Sequence, residues 1–364
     1  MRERNGPEGS PRLRRVMKLR GTFLANLICL DGLLSETQAD LAFGVRRGCN
    51  RRRMIKSRPF RFRDPFPAFV RILASAGVLL PIAAGAADDV LRFTPSRERW
   101  TVQSEALVET SGVAPSPGDG NFIWALNDGG NAPELHLLNP TGGDQGQVAV
   151  LGVANIDWED LDSFVLDGRS YLLIADTGDN ASRRKSGVLN IVPEPDIRSG
   201  RADGVITPAW SILFRYPDGP RDCEAAAVDA REKKILLISK RTTPPVLYEL
   251  PLIPPPADGP IVARRLGEVA LPQTVVPAIP YANQPTGLTI SPDGTRAALL
   301  TYLRVLLYPR QKGESWAEAF HREPVVLKAH GLEQAEAIAF STNGKVIHVL
   351  SEGKRQPIVS YEGM

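Results

Sequence analysis

From Glu109 onward, apolar runs of four to seven residues alternate with clusters of Gly, Pro, Asp, Asn and Ser, and no long stretch repeats at helical spacing. That pattern predicts short strands joined by tight turns, an all-β chain. The runs also recur. "ETSGVA" from Glu109, "DWEDLD" from Asp157, "DCEAAA" from Asp222, "QPTGLT" from Gln284 and "QAEAIA" from Gln334 share one register, at intervals of 48, 65, 62 and 50 residues. The first position is Glu, Asp or Gln, the third is Ser, Thr or Glu, the fourth is small in four of five, and the fifth is apolar.

Each motif is followed by a second run ("FIWALND", "YLLIADTGDN", "ILLISKR", "AALLTY", "VIHVLSE") across a hairpin signal such as "DG", "SPDG" or "STNG". A third run follows in every unit and a fourth in all but the last. Repeats of this length and strand content predict a β-propeller of five four-stranded blades. The segment "RWTVQSEALV" (99–108) is left over to supply the missing strand and close the ring. A six-bladed ring, with residues 88–108 in a degenerate blade, is the alternative.

The N-terminal part has another pattern. Residues 1–53 hold 12 basic and 5 acidic residues without periodicity and read as a disordered or non-physiological extension. From Met54, a basic stretch leads into "ILASAGVLLPIAAGA" (72–86), the charged, apolar and small-residue order of a secretory signal peptide. The expected organisation is therefore an extension (1–53), a signal peptide (54–86) and one propeller (88–364), periplasmic or extracellular, with an uncleaved N-terminal anchor as the alternative. Without the leader the balance reverses: residues 88–364 carry 27 basic and 35 acidic residues. Nucleic acid is excluded as a partner on that charge, no membrane contact is expected after cleavage, and a monomer is expected. Cys223 is the single cysteine beyond the leader, so no internal disulfide or cysteine-type zinc site is available.

The motifs "WALNDGGNAPELHLLNPTG", "DWEDLDSF…YLLIADTGDNASRR", "DCEAAAVD…ILLISKR", "QPTGLTISPDG" and "QAEAIAF…LSEG" resemble an uncharacterised family of secreted bacterial β-propellers. That family is loosely similar to the phytase-like (esterase-like) propellers and to the calcium-dependent lactonase propellers. The acidic calcium motif of a true propeller phytase is not evident here, so phytase activity is not implied.

In a propeller the first strand of each blade lines the channel, and the end of the second lies beside its start. One mouth should therefore gather Asp128, Asp222, Glu224, Thr286, Tyr302, Glu336 and Glu352. Asp157, Glu159, Lys240 and Arg241 are the candidates for chemistry. Alternation along the strand puts Asp157 and Glu159 on one side and Trp158 with Asp160 on the other. Asp160 is the residue the repeat does not explain, since the other blades have Gly or Ala there.

Crowded carboxylates need a compensating cation: an all-oxygen set suits calcium, and Lys240 and Arg241 at the same mouth are the alternative. Asp157, with Asp176, Asp179 and Asn180 of "DTGDN", is the expected ligand set. The structural alternative for the repeated glutamates is hydrogen bonding to neighbouring backbone amides. No nucleophile elbow, phosphate loop or paired-histidine metal motif is present. Three functions remain: a calcium-assisted hydrolase of a phosphoester, ester or lactone; a non-catalytic binder of a small molecule, glycan or protein; and a purely structural propeller.

Overall fold

The computed structural model describes residues 92–256, 258–272 and 281–363. The extension and signal peptide expected over 1–86 lie outside them. The described residues form five antiparallel sheets arranged as a five-bladed β-propeller.

The inner strands are Thr110–Pro115, Trp158–Leu166, Ala225–Asp229, Pro285–Ile290 and Ala335–Phe340. Each starts at or next to its sequence motif. Five apolar clusters fill the five gaps between neighbouring blades. Trp124 and Trp158 lie in the gap between blades one and two, and Tyr248 and Cys223 in the next. Burial pushes the Cys223 thiol up to about 12, so it behaves as a core filler rather than a nucleophile.

Ring closure uses the N-terminal segment. Trp100 and Thr101 pair with Ile358 and Pro357, and Phe93–Pro95 pairs with Tyr361–Gly363 on the same outer strand. The closing strand thus begins earlier than the 99–108 reading. Blades one and two also carry a fifth, parallel strand. Val205–Ile206 and Ile261–Val262, from the following blade, pair with the outer strands Asp144–Val150 and Trp210–Arg215. These short segments cover two exposed sheet edges.

The turns follow local chemistry. Asp167 (φ 49°) and Gly168 (φ 76°) are both left-handed, as a two-residue hairpin requires. The one helix among the described residues, Trp316–His321, is fixed by the Ser315/Glu318 capping box, and its Trp316 Nε1 donates to Asp229 Oδ2 at 2.8 Å. No helix among the described residues is long and apolar enough to cross a membrane.

A five-bladed ring has a narrow channel, and the fourth motif position shows it. A Cβ on Gly112 would sit 2.5 Å from Leu161 N, and one on Gly287 would sit 3.0 Å from Ile338 Cγ2. This is why that position is small in four blades.

Candidate functional site

The third motif position is not an ordinary strand residue. Pairing with the second strand shifts register between Thr110 and Gly112, Trp158 and Asp160, Pro285 and Gly287, and Ala335 and Ala337. Ser111, Glu159, Thr286 and Glu336 are therefore bulged. In blade three, pairing begins at Ala225, one residue beyond Glu224. A bulge breaks the two-residue alternation and re-aims its side chain.

The consequence differs with residue type. Ser111 and Thr286 donate to the carbonyls of Trp158 (2.9 Å) and Ala335 (2.8 Å) in the next blade. Thr177 does the same to Cys223 at 2.7 Å. Thr286 thus ties blades four and five together, and its hydroxyl is used there. Among the described residues the three glutamates accept no backbone amide, contrary to the structural alternative. They meet at the mouth.

Asp128, Asp157 and Glu159 place carboxylate oxygens within 4.8 Å of one another, and so do Glu159, Asp222 and Glu224. Glu159 belongs to both groups. It is 3% exposed, and among the described residues no hydrogen-bond donor reaches its carboxylate. Burial, followed by the charges of Glu224, Asp128 and Asp157, raises its pKa well above the carboxylate range. Burial pushes Asp128 up to about 6 and Glu224 to about 8, and it raises Asp157 against the opposing charge of Arg184.

Two glycines shape this cluster. A Cβ on Gly178 would lie 2.1 Å from Glu159 Oε1 and 2.5 Å from Asp157 Oδ2, and one on Gly129 would lie 2.5 Å from Asp157 Oδ1. The bare backbone of the "NDGG" and "DTGDN" loops leaves room above the carboxylates that side chains would fill. The donor set is entirely oxygen, and Glu159 lacks a partner. Both features fit a hard divalent cation held by Asp128, Asp157 and Glu159.

On the other side runs a chain of polar contacts. Lys240 Nζ pairs with Glu224, donates to Tyr302 Oη at 2.8 Å and lies 4.0 Å from Glu336 Oε1. Tyr302 Oη donates to Glu336 Oε1 at 2.7 Å. Burial alone would lower the pKa of Lys240, but Glu224 and Glu336 raise it, so the ammonium stays charged. Glu352 accepts from Gln334 at 2.9 Å, and burial together with its hydrogen bond to Glu336 holds it up at about 9.

The "DTGDN" side chains lie outside both acidic groups. Asp176 pairs with Arg184 at 2.7 Å. Asp179 accepts the backbone N–H groups of Arg183 (2.8 Å) and Arg184 (2.7 Å), and Asn180 meets Arg241. Arg241 also holds Asp222 at 2.6 Å. From this loop, the backbone of Gly178 reaches the cluster. Gly178 and Gly129 escaped sequence reading because a glycine in a hairpin loop reads as a turn residue.

Asp160 has a separate task. It is fully buried and accepts from Ala226 N (2.8 Å) and Leu288 N (3.0 Å), on the inner strands of blades three and four, and from its neighbour Leu161 N (2.9 Å). One carboxyl group spans the channel and joins three blades. The alternation that put it beside Trp158 fails because of the bulge at Glu159.

The raised acids set a pH dependence. Their unfolded values lie at 3.8 for Asp and 4.5 for Glu. Above those and below the raised values, the folded chain binds more protons than the unfolded one, so stability falls as pH rises. Asp128, Asp162 and Glu224, at about 6, 7 and 8, place the window between about pH 5 and 8. In chelator, the melting temperature is expected to be higher at about pH 5 than at about pH 8. The opposite order in a thermal melt series would contradict this charge assignment.

The fold and the site thus define a five-bladed propeller with a buried acidic group at one mouth that could hold a metal ion. No protein-family model matches the chain, and no curated protein matches it. Solved structures similar to it include "a putative 6-phosphogluconolactonase" from Bacteroides uniformis, at 18% identity over 69% of this chain and 67% of that one, TM-score 0.32. The Pan2 WD40 domain of Neurospora crassa is another, at 11% identity over 72% and 66%, TM-score 0.31. Neither likeness bears on activity.

Proposed function

We propose that this protein is a secreted, calcium-dependent hydrolase of a phosphoester, ester or lactone, acting at the acidic mouth. The observation that carries the reading is Glu159. A buried carboxylate without a donor, shared by two acidic groups, is costly unless a cation compensates it. Asp128, Asp157 and Glu159 would hold the ion. Bound there, it would supply polarisation of a substrate oxygen and charge compensation.

The remaining roles fall to the chain. Asp157, half-buried and needed by the ion through only one of its two oxygens, would be the base that takes a proton from water. Lys240, held by Glu224 and Tyr302, faces the same mouth as a fixed positive charge for a developing oxyanion. Residues Arg184, Lys185, Arg215 and Arg221 line a cavity of about 220 Å³ that also includes Asp179, where an anionic end of a substrate would meet cations. Secretion belongs to this proposal and rests on the leader-like residues 54–86.

Thermal melts with calcium and with chelator at about pH 8 test the metal reading, and the expected result is a higher melting temperature with calcium. A melting temperature unmoved by either removes the ion from the proposal. With calcium bound, phosphoester, ester and lactone panels are then compared on wild type and Asp157→Asn. The variant is expected to lose about a hundredfold or more in rate. Calcium binding without turnover on any panel would leave a binding propeller.

A further inference from the structure

We infer that the other end of the channel is a second ligand site, shaped for a small molecule with an apolar body and one protonated amine. All five blades contribute to a cavity of about 420 Å³ there, within the roughly 300–1,000 Å³ of pockets that hold small ligands. Its walls are mixed, with an apolar part from Pro115, Phe164, Val165, Ile290, Pro292 and Phe340.

Asp162 is the acid at the inner end. It lies two residues beyond Asp160 on the same strand, so it faces the same side. It is 7% exposed, and its two oxygens accept Val228 N (2.7 Å) and Ser163 N (2.8 Å). Among the described residues it has no cationic partner within salt-bridge distance, and burial pushes its carboxyl up to about 7.

Four other polar side chains of this cavity are already engaged. Asp229 pairs with Arg310 at 3.3 Å and accepts from Trp316 at 2.8 Å. Arg231 donates to the Asp293 carbonyl at 2.8 Å, and Ser291 donates to the Asp293 carboxylate at 2.5 Å. Thr289 accepts from Phe340 N at 3.2 Å. Asp162 is therefore the one lining carboxylate without a cationic partner among the described residues, while the exposed Arg231 bonds to a backbone carbonyl. The free lone pairs of Asp162 suit an ammonium head, and the apolar part of the walls suits the body behind it. Asp160, tied to three blades, separates this site from the acidic mouth.

Calorimetry with phenethylamine and its neutral analogue 2-phenylethanol tests the inference. At about pH 8 the amine is expected to bind at least about tenfold more tightly than the alcohol, the worth of one charge-assisted hydrogen bond. Its affinity should fall at about pH 5.5, where Asp162 is protonated. Asp162→Asn should abolish the preference. Because that change also touches the tie to Val228, Val165→Arg gives an independent check. Val165 is 52% exposed at the rim, so the variant should fold as wild type while repelling the amine. Glu159→Gln, at the opposite mouth, should leave binding intact. Equal binding of amine and alcohol overturns the inference. So does amine binding that survives Val165→Arg, or that is lost in Glu159→Gln.

Discussion

Replacing Asp160 with alanine is expected to destabilise the propeller by about 3–5 kcal/mol, the largest loss from any single polar side chain in the channel. The change strands three buried N–H groups, of Leu161, Ala226 and Leu288, on three different blades. Each unsatisfied buried donor costs about 1–3 kcal/mol, and water cannot readily enter so narrow a channel. Urea unfolding should show a lower midpoint with an unchanged slope. Asp160→Asn keeps one acceptor oxygen in place and should lose clearly less than the alanine variant. An alanine variant within about 1 kcal/mol of wild type would show that the inner strands do not depend on this bridge.

Glu159→Gln should act in two opposite directions. Without metal, the variant should be more stable than wild type at about pH 8, because it removes a buried charge that has no donor and is repelled by Glu224, Asp128 and Asp157. With calcium, the order should reverse. Wild type gains about 2.7 kcal/mol when the ion is present at a hundred times its dissociation constant, and the variant gains little because the shared ligand has lost its charge. Melting temperatures of both proteins, in calcium and in chelator, give the four values needed. Parallel calcium shifts in the two proteins would place the ion elsewhere. A destabilised calcium-free variant would mean that Glu159 has a structural role. The third-position glutamates differ in this from Ser111 and Thr286, whose hydroxyls tie blades together.

The repeat made the architecture legible. A period near one blade, four apolar runs per unit and one strand left over at the N-terminus specify a closed ring of five, because each sheet must bury both faces against neighbours. Small residues at the fourth motif position already signalled close approach at the axis. The gathering of Asp128, Asp157, Glu159, Asp222, Glu224, Lys240, Tyr302 and Glu336 followed from the same logic, since strand ends in all blades point the same way.

What sequence could not decide depended on local departures from strand geometry and on contacts across the ring. The bulge at the third position has no composition signal, yet it sends Glu159 to the mouth and Asp160 into the channel. The acids of "DTGDN" had the right chemistry for a metal, but they cap nearby amides and pair with Arg184, while the glycine between them borders the cluster. The cavity beside Asp162 draws residues from all five blades, so no single stretch announces it. Periodicity along the chain therefore determined the ring and which strand ends meet at its mouth. Distances of a few ångströms between chain segments far apart in sequence decided which acids are satisfied by backbone N–H groups and which are left to bind something else.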